Sequence, residues 1–583
     1  MRKLLSSISL TLALTLIAGL LTATPAAAQV VSKKAEKYLA KAKEALQKKY
    51  TEKLIKWTTK AAKANHPEAQ FILGNLYMEG IMVEQDQKKG FEWFCKAAEQ
   101  EFDDAQYELA KCYMIGKGVE ADSIKALEWI TKSANNGDAD AKYVLGTHYM
   151  DGWVVQADTA KAIQLFTEAA EQEQVYALYE LGQIYRYGLG IEADPKKAVD
   201  LYHKAAEQEH LDALCEWGKC HFLGEGVEED TEVAINAWDA AAQLGHVRSM
   251  YYLGTCYAGG WPKTDYAEAI KWYTKAAEQG HVDAQFYLGK LYYEGQGGKP
   301  DYTKATKWLL KSARQDNAEA QYYMGVCFHN GEGVKQDYAK AIEWFIKSAE
   351  NGYAEAQCYM AFCYYNGDGV KQDYTKAAEW FAKAAEQDLV NAQFMLGSCY
   401  FYGEGVTPDN TEAAKWFRIA AEQGDVSAQS MLGMCYLSGD GVPQDYAEAV
   451  KWCTEAAKYN DPIAQFHLSL CYYNGWGVKQ DLPTSIDLTT KSAEQGFALA
   501  QSSLGYCYLN GDGVKKDLAK AIEYLTKAAE QGESSAQYNL GTCYEEGHGV
   551  KKNRAKAIEW YTKSAQQDCQ EAQEALKRLG VTD

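Results

Sequence analysis

A single stretch constrains this chain more than any other feature. Residues 320–355, AQYYMGVCFHNGEGVKQDYAKAIEWFIKSAENGYAE, recur from one end to the other with small residues, aromatics and glycines held in register. Registered on the glycine of its L-G step, the unit falls at Gly74, Ala110, Gly146, Gly182, Gly218, Gly254, Gly289, Gly325, Ala361, Gly397, Gly433, Ser469, Gly505 and Gly541. That makes fourteen repeats spaced by 36 residues, with one step of 35 between Gly254 and Gly289. The short step is placed in the loop Gly260 to Asp265, one residue shorter than its equivalent Gly331 to Asp337. A period of this length, with its one deletion confined to a loop, predicts a solenoid of stacked helical pairs.

Each repeat divides into two helices. In the first, Ala320, Met324 and Phe328 recur on one face of a helix of period 3.6 and are placed in the core. Asn330-Gly331-Glu332-Gly333 ends it, because glycine adopts the left-handed geometry that other residues resist. Asp337 is expected to cap the second helix, whose Ala341, Trp344, Phe345 and Ala349 form the return face before Asn351-Gly352. Aspartate holds that cap position in thirteen repeats and Asn553 in the last. The small residue at the L-G step, replaced only by Ala or Ser, lets the two helices approach closely.

The ends differ. Met1-Arg2-Lys3, the apolar run Leu4 to Leu21 and Ala26-Ala27-Ala28 read as a secretory leader over residues 1–28, so export to the periplasm or beyond the cell is expected. Residues 29–66 look like a helical hairpin without the glycine loop, an N-terminal cap in which Trp57 lies one period before Trp93. The tandem repeats are placed at 67–567 and a C-terminal capping helix at 568–583, where Lys577 and Arg578 replace core residues.

With 47% hydrophobic residues and nine prolines, burial is ample. The balance of 60 Lys and Arg against 80 Asp and Glu, net −20, lacks the basic stripe that nucleic acid or an anionic membrane surface requires. A partner with a cationic surface fits this charge better.

The pattern seen in Ala284 to Gly289, Gly367-Asp368-Gly369-Val370 and Lys275-Ala276-Ala277-Glu278-Gln279-Gly280 resembles the Sel-one-like repeats, relatives of the tetratricopeptide repeats, over roughly residues 33 to 580. The resemblance implies an all-α, right-handed α/α superhelical solenoid serving as a protein-interaction scaffold, with no catalytic residues or cofactor to carry over. Some secreted relatives staple adjacent repeats with disulfides and carry β-lactamase labels. Here the stapling positions hold alanines such as Ala349 and Ala356, and no S-x-x-K supplies a nucleophile, so a hydrolase is disfavoured.

Ten of the fifteen cysteines, including Cys327 and Cys363, share the slot two residues after the L-G step. Copies one repeat apart lie about 10 Å from each other by helix-packing distances, beyond disulfide reach, and read as buried thiols. The ten histidines are scattered without metal-ligand spacing, and the eleven G-x-G loops lack the preceding strand and third glycine of a nucleotide site, so no metal or cofactor is expected.

Recognition is sought in first-helix positions that vary while the frame stays fixed. Two such positions, two residues before and one after the L-G glycine, share a helix face. Their middle stretch carries Tyr252, Tyr287, Tyr323, Val326, Tyr359, Phe362, Met395, Met431 and Met434, an aromatic and methionine stripe that the first third, with Ile72, Glu108, Val144, Glu180 and Glu216 at the earlier position, does not have. Two roles fit such a row: packing first helix against first helix, or lining a concave groove for a protein or extended peptide. Loop tryptophans Trp153, Trp261 and Trp476 form a weaker set, and together with the tyrosines they keep a carbohydrate or cell-wall glycan as the alternative ligand.

Overall fold

The computed structural model describes residues 31–581; the expected leader, 1–28, lies outside the described residues. The described residues form 31 helices and no strand. They fall into two compact halves, one ending at His281 and the other beginning at Val282. The amino-terminal half holds the helices Lys33–Gln47 and Thr51–Lys63 and then six helix pairs, from Pro67–Glu79 with Gln87–Ala98 to Val247–Gly259 with Tyr266–Glu278. The carboxy-terminal half holds eight pairs, from Val282–Glu294 with Tyr302–Ala313 to Ser534–Glu546 with Arg554–Ala565, and ends on Gln570–Arg578. Within each half a first helix packs on the second helix of its own repeat, and that helix packs on the first helix of the next. No helix among the described residues is long and apolar enough to cross a membrane.

The eighth repeat shows how local chemistry sets these elements. Ala320, Met324 and Cys327 are buried on the first helix, Ala318–Asn330, which stops where Gly331 turns left-handed at φ 77°. Asp337 caps the second helix, Tyr338–Glu350, by accepting from the Lys340 amide at 3.1 Å. All fourteen second helices are capped in this way, by thirteen aspartates and Asn553.

The small residue of the L-G step is a seat for a ring. A Cβ on Gly325 would lie 2.6 Å from Phe345, and one on Gly397 would lie 2.7 Å from Phe417, so a larger side chain there would wedge the pair apart. The return face therefore rests on Phe345, fully buried, rather than on Trp344. Trp344 and Phe328 are only half-buried, and the Lys347 ammonium sits 4.7 Å from the Trp344 ring.

A hydrogen-bond ladder that periodicity did not reveal joins the repeats. The buried amide of Gln357 donates to Ala349 O at 3.1 Å and accepts from Gln387 at 2.8 Å. Gln393 with Gln423, Gln501 with Gln531 and Gln537 with Gln567 repeat the second link. In the repeats that carry this glutamine, which the third to sixth replace with Lys142, Leu178, Leu214 and Met250, polar bonds add to apolar packing in tying the first helix to its neighbouring second helices. Such bonds contribute about 1 kcal/mol each and cost more when one partner is lost in the core.

Nine of the ten register-matched cysteines are buried and Cys507 is half-buried. Burial pushes the Cys327 thiol up to about 12, which keeps it protonated and unreactive at neutral pH.

Candidate recognition face

The first helices of the carboxy-terminal half bring the expected row together: Tyr287, Tyr323, Val326, Tyr359, Phe362, Met395, Met431 and Met434 come from five consecutive first helices. Tyr252 belongs to the amino-terminal half, where its ring stacks on Trp238 at 5.1 Å. All of these side chains are half-buried except Met431, which is only 8% exposed.

Half-burial has a specific cause. Tyr359 lies 4.2 Å from Phe345 of the preceding repeat, Tyr323 lies 5.9 Å from Phe286, and Phe362 meets Phe381 edge-on at 5.0 Å. One side of each ring packs on its neighbours, and the remainder stays accessible. Burial holds the Tyr323 and Tyr359 phenols up at about 12, so both are neutral donors at physiological pH.

In three repeats of the amino-terminal half the same register holds a glutamate, Glu108, Glu180 or Glu216. Glu216 is buried and accepts from Arg186 at 2.6 Å and from Arg248 at 2.8 Å, while Arg186 also reaches Glu225 at 2.6 Å. Arg186 is itself buried, so this is an internal fastening rather than an open charge. Further along the same half, burial raises the Asp104 and Glu180 carboxyls, with Asp103 adding to the first and Asp151 to the second.

Sequence reading missed a cleft of about 380 Å³ that opens on this face between the first helices of repeats twelve to fourteen. Row positions Leu470, Ser503, Tyr506 and Asn539 form its mouth and walls. The available signal was the pair Ser469 and Thr489, which stands where most repeats place glycine and a large apolar side chain.

The loop tryptophans Trp153, Trp261 and Trp476 are 55%, 44% and 37% exposed. Trp153 stacks on His148 at 4.9 Å and Trp476 on Tyr446 at 5.3 Å, so each of these two has one face committed within the chain.

The Sel1 repeat family matches the chain over fourteen consecutive segments, from 67–102 to 534–569. Among solved structures, a protective antigen of uropathogenic Escherichia coli strains displaying an SLR fold is 29% identical over 85% of this chain and 98% of its own, with a TM-score of 0.46. A Sel1 repeat protein from Oxalobacter formigenes is 31% identical over 57% of this chain and 93% of its own, with a TM-score of 0.40. Comparison with curated proteins finds no match.

Proposed function

This chain belongs to the Sel1 repeat family, and on that premise we propose that it is an exported, non-enzymatic scaffold that binds a protein or extended peptide along its first helices. It is a helical-repeat scaffold of a kind that generally mediates protein interaction. The finer reading rests on one observation. From Tyr252 onward the first-helix row, which earlier alternates aliphatic residues with Glu108, Glu180 and Glu216, becomes a run of half-buried, partly accessible tyrosine, phenylalanine and methionine through most of the carboxy-terminal half. Tyrosine offers an apolar face with a donor at its edge, and methionine adapts its shape, a combination suited to a polypeptide surface.

In this reading residues 1–28 are removed on export, 29–66 and 568–583 close the two ends, and the first-helix face is the concave one that two-helix solenoids use for binding. A net charge of −20 favours a partner with a cationic surface. Capture of envelope or culture-supernatant proteins by the wild type and by the triple variant Tyr323→Ala, Tyr359→Ala, Phe362→Ala tests the reading. Loss of a specific captured band in a folded triple variant is the expected result, and unchanged capture removes the proposed surface.

A further inference from the structure

Twenty residues after the small residue of the L-G step, most repeats place a large apolar side chain in its seat; Phe94, Phe166, Phe345, Phe381 and Phe417 do so, and Tyr561 does so in the last repeat. The twelfth repeat departs at both positions, with Ser469 in the seat and Thr489 facing it. Losing the ring leaves space that the serine only partly fills, and the cleft of about 380 Å³ reaches down to these two residues and Ser485. That volume lies at the lower end of ligand sites, which run from roughly 300 to 1,000 Å³.

The floor is polar, buried and one-sided in its hydrogen bonding. Ser469, Ser485 and Thr489 are 1%, 3% and 5% exposed. The Ser469 hydroxyl donates to Phe466 O at 2.7 Å and the Ser485 hydroxyl to Ser469 O at 2.9 Å. The Thr489 hydroxyl has Ser469 Oγ at 3.0 Å and Ser485 O at 2.9 Å as acceptors. All three hydroxyl hydrogens are therefore engaged within the protein, and what Ser485 Oγ and Thr489 Oγ1 still offer is lone pairs. Phe466, Leu470, Ile486 and Tyr506 give the walls above them an apolar and aromatic side, and Ser502, Ser503 and Asn539 line the side toward the mouth.

We propose that this cleft takes the phenol side chain of a tyrosine from the partner polypeptide, seated where most repeats, though not the two adjoining ones with Cys453 and Leu525, place a ring of their own, with its hydroxyl donating to Thr489 or Ser485. A carboxylate brings no donor and meets Glu533 at the lip. An ammonium would give up its water between apolar walls. An aliphatic side chain fills the space and leaves the acceptors unmet.

This inference builds on the reading of the face as a recognition surface, and its test is independent of that reading because it uses a free probe. Titrate p-cresol and toluene into the full chain, followed by ligand-detected NMR. The expected results are that p-cresol binds about fivefold more tightly than toluene, that Thr489→Val removes this preference, and that Ser469→Gly with Thr489→Phe weakens both probes by at least about tenfold. The double variant restores the glycine and ring pair of Gly325 and Phe345, and its thermal melt reports whether it folds. The triple variant Tyr323→Ala, Tyr359→Ala, Phe362→Ala keeps p-cresol binding, so failure of the row and failure of the cleft are told apart. Absence of p-cresol binding to the wild type, equal affinity for toluene, or undiminished binding by a folded double variant overturns the proposal.

Discussion

At the position two residues before the L-G step, the amino-terminal half carries Glu108, Glu180 and Glu216 among Ile72, Val144 and Tyr252, and the carboxy-terminal half carries Tyr287, Tyr323, Tyr359, Met395 and Met431 ahead of the polar His467, Ser503 and Asn539. The frame around that position is the same in both halves: a capping aspartate, a left-handed glycine and a buried cysteine, as in Asp230, Gly224 and Cys220 or in Asp337, Gly331 and Cys327. What differs is what the row does with its side chains. Glu216 turns inward to two arginines, whereas Tyr323 and Tyr359 lean on the preceding repeat and keep part of their rings accessible. One repeated backbone thus supports an internal fastening in one half and an adaptable surface in the other, through substitution at a register the fold leaves free.

The largest effect that would test this contrast is at Glu216. Glu216→Ala leaves Arg186 buried without its main partner and is expected to cost about 3–5 kcal/mol in urea unfolding. Tyr323→Ala at the equivalent register removes a half-buried ring and is expected to cost only about 1–2 kcal/mol. Equal costs would erase the distinction between fastening and surface.

The glutamine link, present in the first two repeats and again from the seventh on, should respond alike wherever it occurs. Gln357→Leu removes the side-chain donor to Ala349 O and the 2.8 Å acceptor of the Gln387 amide, and should cost about 1–3 kcal/mol. Gln106→Leu, which loses the Asn136 donor at 3.1 Å, should fall in the same range. Costs differing several-fold in denaturant titration would mean that the ladder is not a shared element.

A smaller effect concerns His467, which holds the row position of the twelfth repeat. Burial pushes its pKa down to about 4, against a partial opposing pull from Asp461. The folded state thus prefers the neutral ring, and the associated stability is present above pH 6.5 and lost as pH falls toward 4. His467→Tyr should therefore flatten the decline in melting temperature between pH 7 and pH 5. An unchanged slope would place the acid sensitivity elsewhere.

Much of the frame was legible because each element has a local cause. Gly331, Asp337 and the seat at Gly325 follow from backbone geometry, capping and size, and the fourteen family matches bear out the repeat reading. Periodicity names a face but cannot decide between adjacent aromatics, which is why Trp344 and Phe345 looked alike until their burial was seen. The roles of Gln321 and Gln357 were not legible, because their hydrogen-bond partners lie on neighbouring helices, at distances in sequence that a single-helix pattern does not sample. Ser469 looked like a tolerated small residue at the seat. Its consequence depended on Thr489, on another helix, having lost the ring at the same time.

The account stands most directly on where a partner touches the chain. Photo-crosslinking with p-benzoylphenylalanine placed singly at Tyr323, Tyr359, Glu180 and Lys347 in the native host measures this. The account predicts a shared adduct from positions 323 and 359, with none from Glu180 in the amino-terminal row or from Lys347 on a second helix. An adduct from Lys347 with none from positions 323 and 359 would contradict it.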